Sequence, residues 1–186
     1  MSLPDIEVER ELLHTRRVRY EGYKRADGLW DIEAHLTDIK NHDYHLKTGV
    51  RRAGQPVHSM WLRLTIDRKL NITDATASSD AVPYPGGCET IVPAYRQLIG
   101  LNLAKDFRRN AGELLGGVRG CTHLTEMLAG MPTAAVQSFA GEMKEERDDG
   151  SKPFQLDKCH ALETTTDTVK KWYPKWYRGV REDTSR

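Results

Sequence analysis

Apolar and polar residues alternate along two segments of the chain, Leu29 to Lys40 and Val57 to Asp67. Successive side chains of an extended strand point to opposite faces, so this alternation predicts two strands that each bury one face. His58 falls on the buried face of the second strand, near its beginning. The apolar faces comprise Trp30, Ile32, Ala34 and Leu36 in the first strand and Met60, Leu62, Leu64 and Ile66 in the second.

Two further segments extend this pattern to about four strands. Arg17 to Arg25 alternates weakly and leads through a tight turn at Ala26–Gly28 into the first clear strand. A hairpin turn after Asp67 leads into a fourth strand at about Asn71 to Ser79. Residues 41–56 are polar and contain glycine, which predicts a connection. The four strands together predict an antiparallel sheet.

The second half of the chain has helical rather than strand character. Glycines and prolines after residue 82 end the strand pattern, and in the last helical segment apolar residues recur every three or four positions. Strands followed by helices predict an α+β fold, a two-layer sandwich in which about three helices cover one face of the sheet. The predicted helices are Cys88 to Ile99, Ala104 to Leu115, and Thr122 to about Glu146.

These elements predict a single α+β domain over residues 14–146. Residues 147–186 follow a charged linker and predict a C-terminal arm packed on that domain, because about 35 residues are too few to bury a core alone. The arm carries Trp172, Tyr173, Trp176 and Tyr177, aromatic residues that suit either the closing of a pocket or the binding of another subunit.

Charge and composition narrow the range of partners. The 186 residues include 28 Lys and Arg against 27 Asp and Glu, so no strong positive field attracts nucleic acid or an anionic membrane. The chain has no long apolar run and no signal-peptide layout, and its three Cys form no CxxC motif. We therefore expect a cytoplasmic protein with free thiols that acts on a small molecule, and the composition is compatible with a homo-oligomer.

His58 and Asp38 are the first candidates for chemistry. If the two clear strands pair antiparallel, their facing ends bring Asp38 and Lys40 close to His58. A carboxylate beside an imidazole fixes its tautomer and raises its basicity, as a general base or a metal ligand requires. The alternative is that His58 is a core histidine with a satisfied hydrogen bond.

Cys88 and Cys121 each follow glycine at the predicted start of a helix, where a thiolate is favoured. With His58 and His123 they form a candidate ligand set for zinc or iron, or a thiolate that works beside an acid–base pair. The alternative is that both are buried, inert residues. Other groups suited to a substrate pocket are Tyr84 as a catalytic residue and Arg25, Trp30 and His35 as substrate-binding residues.

Three blocks of sequence carry a resemblance to a known family. They are YKRADGLWDIEAHLTD at residues 23–38, PVHSMWLRLTID at residues 56–67 and GCTHLTE at residues 120–126. On these blocks the chain resembles the bacterial family catalogued as domain of unknown function 2889, over about residues 14–175. Membership of that family implies no particular activity.

A remoter similarity is to the iron-sulfur-cluster assembly scaffolds, in which three Cys and an Asp or His surround zinc or a nascent cluster. This similarity implies that His58 takes the Asp position, Cys88 that of the second Cys and Cys121 that of the third. Pro56 and Val57 stand where the first scaffold Cys would be. The fold and the pocket are therefore implied more strongly than cluster assembly.

Two function classes follow from these observations. In the first, the protein is an enzyme, a lyase or hydrolase whose acid–base pocket, with or without a metal, acts on a small organic substrate, such as an aromatic or acyl compound. In the second, it is a carrier or interaction module that binds zinc or an iron-sulfur species. The missing scaffold Cys and the acid–base density near His58 favour the enzyme. A packed sandwich without any shared pocket is the third reading.

Overall fold

Four long antiparallel strands form the main sheet of the computed structural model, which describes residues 3–140 and 150–179. Across the sheet these strands lie in the same order as along the chain. The predicted four-stranded antiparallel sheet is confirmed. The strands are β1 (His14–Lys24), β2 (Trp30–Lys40), β5 (Pro56–Ile66) and β6 (Ile72–Ala81).

The turn between β1 and β2 sets their register. The amide of Arg25 donates to the carbonyl of Leu29 at 2.9 Å, and Gly28 has a φ of 83°, a left-handed conformation that favours glycine. The pairing then runs without interruption along both strands and places Arg16 opposite Asp38. Cross-strand partners have their side chains on the same face of a sheet, so these two are neighbours.

The connection between β2 and β5 contains a small sheet of its own. Strands β3 (Tyr44–Leu46) and β4 (Gly49–Arg51) pair antiparallel within the segment predicted to be a connection without strands. Each is three residues long, which is too short for an alternating pattern to show. Gly49 has a φ of 130°, a conformation that other residues rarely adopt, and it begins the return strand.

The predicted third helix is two helices, α2 (Thr122–Leu128) and α3 (Met131–Ser138). Pro132 has no amide hydrogen to donate to a carbonyl four residues earlier, so one continuous helix could not form there. Tyr20 reinforces the break, because its hydroxyl donates to the carbonyl of Met127 at 2.9 Å. Residues 141–146 of that predicted helix lie outside the described residues.

The other predicted helices also differ in detail. Residues Cys88–Leu98 form a 3₁₀-helix that contains Pro93, and α1 (Phe107–Leu115) begins three residues later than predicted, after Asp106 in a left-handed conformation. A single 3₁₀ turn, Gly117–Arg119, follows α1. No helix within residues 3–140 and 150–179 is long and apolar enough to cross a membrane.

The core lies between one face of the sheet and the helices. Helix α2 packs on β2 and β5, α3 packs on β1 and β2, and the helix Cys88–Leu98 packs on β6. The predicted apolar stripes meet here, and the opposite face of the sheet carries polar residues. Fully buried members of the core include Ile32, Leu36, Met60, Leu62, Leu64, Ile66, Tyr95, Leu124 and Met131.

The chain divides into two compact units between Ser138 and Phe139. The described part of the second unit holds helix α4 (Asp167–Trp172) and two short 3₁₀ turns, His160–Leu162 and Pro174–Trp176. The Asp157 carboxylate organises the loop before α4 by accepting hydrogen bonds from Lys152 and from the amide and hydroxyl of Thr164. The predicted boundary between residues 146 and 147 lies outside the described residues.

Candidate functional site

A buried carboxylate, Asp38, lies at the centre of the site. It sits on the core-facing side of β2 and is 4% exposed. Its Oδ1 accepts hydrogen bonds from His14 Nε2 and Arg16 Nε, both at 2.8 Å. Its Oδ2 accepts from Arg16 Nη2 at 2.8 Å and from His58 Nδ1 at 3.0 Å. These four bonds occupy all the lone-pair positions of the two oxygens.

These partners keep Asp38 ionised. Burial alone opposes its charge, but the hydrogen bonds from Arg16 and His14 and the charge of Arg16 outweigh burial and lower the pKa of Asp38 to about 2. The same hydrogen bond raises the pKa of Arg16 above its usual range, and a second carboxylate, Glu126, pairs with Arg16 at 2.6 Å. At neutral pH the centre therefore holds a fixed ion pair.

Acid should weaken the fold through Asp38. Its pKa is about 2 in the folded chain against an ordinary 3.8. The ionised carboxylate therefore contributes about 2 kcal/mol, present above about pH 4 and lost as the pH falls through about 2. In urea unfolding, the difference in stability between wild type and Asp38→Asn should shrink by about 1 kcal/mol between about pH 6 and about pH 3. A difference that stays constant with pH would contradict this assignment.

His58 is the cross-strand partner of Asp38, on β5. The side chain is 14% exposed, and the carboxylate can only accept, so Nδ1 carries the proton and Nε2 keeps a free lone pair. Burial, and then the nearby His123, lower the pKa of His58, and Asp38 offsets part of this effect. His58 is therefore neutral at pH 7 and able to accept a proton at Nε2. The predicted approach of Asp38 to His58 is confirmed.

His123 and Cys121 reach the same place from the start of α2. The rings of His123 and His58 are in contact, with centroids 3.8 Å apart and planes tilted by 31°. His123 Nε2 lies 3.8 Å from Asp38 Oδ2, and Cys121 Sγ lies 3.9 Å from His123 Nδ1. Burial raises the pKa of the Cys121 thiol. The hydrogen bond with His123 and those from nearby backbone amides together lower this pKa by more than burial raises it, so that the net shift is downward.

Tyr95 holds Cys121 in position. The phenol is fully buried, and its oxygen lies 3.0 Å from both the backbone amide nitrogen and the carbonyl oxygen of Cys121. It also lies 2.8 Å from the hydroxyl of Thr125, one turn into α2. The backbone at Cys121 is therefore tied to the helix Cys88–Leu98, which carries Tyr95.

Three of the predicted site residues lie elsewhere in the fold. Trp30 is 1% exposed and belongs to the core, and Arg25 pairs with carboxylates in the β1–β2 turn. Trp30 begins β2 eight residues from Asp38, or about 25 Å along a strand, and Arg25 lies in the turn before it. His35 lies on the opposite face of the sheet, stacked on Trp61 with ring centroids 3.8 Å apart. The predicted grouping of these residues with His58 is therefore wrong in space.

Three others have local partners. The ammonium group of Lys40 lies 5.4 Å from the ring centroid of Tyr44, in the small β3–β4 sheet. Tyr84 is 54% exposed in the loop after β6, where its carbonyl accepts hydrogen bonds from the amides of Gly87 and Cys88. Cys88 begins the 3₁₀-helix and is half-buried.

The donor set argues against a metal in this arrangement. Within residues 3–140 and 150–179, the potential ligands that lie together are Asp38, His58 and His123, with one atom of each within 4.8 Å of the others. The predicted ligand Cys88 is not part of this group. Asp38 already accepts four hydrogen bonds, two of them from a guanidinium whose positive charge repels a cation. The geometry suits proton transfer better than ligation.

His14, Arg16 and Tyr95 belong to the site and were missed in the sequence. The strand β1 begins at His14, three residues before its predicted start at Arg17, so His14 and Arg16 fell outside every predicted element. The signal that finds them is the tight turn at Ala26–Gly28, because an unbroken hairpin counted outward from it pairs Arg16 with Asp38. No pattern in the sequence singles out Tyr95.

Comparisons with known proteins identify the family of the chain. A family described as protein of unknown function (DUF2889) matches residues 14–137. No curated protein and no solved structure matches the chain. The predicted similarity to iron-sulfur-cluster assembly scaffolds therefore finds no support. The match spans β1 to α3, and the site described above lies entirely within it. The chain belongs to the DUF2889 family.

Proposed function

We propose that the protein is a metal-independent enzyme that acts on a small organic substrate, with His58 as its proton-transferring group. The observation that carries this proposal is the hydrogen bond from His58 Nδ1 to Asp38, which leaves Nε2 as a free base beside the ring of His123. A hydrolase of acyl compounds or a lyase would use such a base.

Asp38 plays the supporting part in this proposal. An ionised carboxylate on Nδ1 fixes the tautomer of His58 and stabilises the imidazolium that forms when Nε2 takes a proton. Arg16 and His14 keep that carboxylate ionised and hold it still. A proton transfer at Nε2 therefore needs no rearrangement of the buried side chains.

The three cysteines fit the predicted cellular setting. All three are free thiols, and Cys159 is exposed. Free thiols are typical of a reducing compartment, which supports a cytoplasmic location. The small-molecule substrate also remains part of the proposal.

The second candidate function is a zinc-dependent one, favoured by the approach of Asp38, His58 and His123 within 4.8 Å. Elemental analysis of untagged protein, combined with turnover of a panel of short acyl esters and thioesters, separates the two. We expect far less than one metal per chain and turnover that survives incubation with a chelator.

Turnover that is abolished by the chelator and restored by added Zn²⁺ would overturn the metal-independent proposal in favour of the zinc enzyme. Stoichiometric metal without turnover would favour the carrier. Protein that holds no metal and turns over no acyl compound, nor any substrate of a lyase panel, would contradict the enzyme itself.

A further inference from the structure

We propose that Cys121 is the nucleophile of this site and that His123 is its proton partner. The inference rests on the proposed function, because it places an acyl substrate at the same site and makes the reaction a hydrolysis through a thioester intermediate. His123 joins His58 as a proton-transferring group, and each histidine acts in a separate step.

The imidazole of His123 lies between a thiol and a carboxylate. Its Nδ1 lies 3.9 Å from Cys121 Sγ, and its Nε2 lies 3.8 Å from Asp38 Oδ2. A nucleophile and a base within reach of it are the parts of a covalent acyl-transfer site, and the charge of Asp38 stabilises the imidazolium that forms when His123 takes a proton. The distance from Sγ to Nδ1 is long for proton transfer, as is common before a substrate draws the groups together.

The backbone around Cys121 is held in place by hydrogen bonds with Tyr95 and by close packing at Gly120. Tyr95 binds its amide and carbonyl, as described above. Gly120 precedes it where an added Cβ would lie 2.2 Å from the carbonyl oxygen of Leu115, so only glycine fits. Cys121 Sγ also contacts Met60 Sδ at 3.9 Å, on the same face of β5 as His58. The thiol is therefore held beside His123, on the face of the sheet that carries His58.

The acylation step uses Cys121 and His123. The thiol proton passes to His123 Nδ1, and the thiolate attacks the carbonyl carbon of the substrate to form a carbon–sulfur bond. The bond from that carbon to the leaving group then breaks, and His123 returns the proton to the leaving group. No electron acceptor is needed.

The deacylation step uses His58. Its Nε2 removes a proton from water, and the resulting hydroxide attacks the thioester carbon. The carbon–sulfur bond breaks, the carboxylic acid leaves, and the proton on His58 restores the Cys121 thiol. In sum, one water molecule splits one acyl bond. The Asp38 Oδ2 atom lies 3.0 Å from His58 Nδ1 and 3.8 Å from His123 Nε2, so one carboxylate serves both histidines.

The test uses p-nitrophenyl acetate on the native full-length protein, with acid quenching and peptide mass spectrometry. We expect acetylation of Cys121 at least tenfold faster than of Cys88 or Cys159. In His58→Asn the acetyl group on Cys121 should accumulate, because deacylation is blocked, whereas His123→Asn should slow its formation at least tenfold. Cys159→Ser is the matched control and should behave as wild type.

The outcomes separate this inference from the proposed function. If turnover depends on His58 but persists in Cys121→Ser, and no acetyl group is found on Cys121, the nucleophile assignment is overturned and the His58 proposal stands. If Cys121 is acetylated and turnover is unchanged in His58→Asn, the nucleophile stands and the role of His58 fails. Circular dichroism of each variant excludes unfolding as the cause, and labelling of wild type needs no variant at all.

Discussion

Replacing Asp38 with Asn is expected to lower the free energy of unfolding by about 3 kcal/mol, because a buried ion pair loses one partner. The new amide group is a donor, yet every group around it is also a donor: Arg16, His14 and His58. The substitution therefore removes a charge and places hydrogen-bond donors opposite one another at a residue that is only 4% exposed. Urea unfolding at neutral pH measures the loss.

The matched control is Glu126→Gln. Glu126 pairs with the same guanidinium, but its side chain is 52% exposed, and exposed ion pairs contribute about 1 kcal/mol or less. We expect the two variants to differ by about 2 kcal/mol. Equal losses would mean that Arg16, and not the buried carboxylate, holds this part of the fold together.

Replacing His58 with Asn is expected to reduce kcat toward an acyl ester by a factor of about 10²–10⁴, which is the usual contribution of a general acid–base residue. The amide of Asn keeps a donor for Asp38 but cannot accept and return a proton. Because His58 acts after the acyl-enzyme has formed, that intermediate accumulates, so KM should fall together with kcat and kcat/KM should change little. Steady-state hydrolysis of the best ester of the panel measures it.

His45→Asn is the control for this substitution. His45 is exposed on the short strand β3, and its replacement should leave both constants as in wild type. If His58→Asn raises KM and leaves kcat unchanged, then His58 binds substrate without transferring protons. If neither constant changes, the proposed role of His58 is wrong.

The sheet was predictable because its strands obey a period of two. Both clear strands bury one face, and the same alternation placed Asp38 and His58 on that face at the ends that meet. The structure confirms both, since the two residues are cross-strand partners. Alternation says which face a side chain takes, and antiparallel pairing says which ends lie together.

The helical half was less predictable because its breaks depend on contacts distant in sequence. The division between α2 and α3 is reinforced by Tyr20, which lies on β1, more than a hundred residues earlier. Tyr95 likewise reaches Cys121 from another helix. A window of local sequence contains no trace of either contact.

The misplaced candidates show a different limit. Trp30 shares a face with Asp38, but alternation does not measure distance along a strand, and eight residues span about 25 Å. His35 is close to Asp38 in sequence and on the same strand, yet it faces the other way. The density of acid, base and aromatic groups in this part of the sequence therefore does not mean that the groups share one site.

The hairpin between β1 and β2 ties the site to a loop at the opposite end of the sheet. Adding or deleting one residue at positions 26–28 would slip the register by one, place Thr15 or Arg17 rather than Arg16 opposite Asp38, and turn the Arg16 guanidinium to the other face. Exposed turns usually tolerate changes in length. Here such a change would take the guanidinium of Arg16 away from Asp38, about 25 Å from the turn along the strands. Related sequences should therefore vary in residue type at this turn but keep its length.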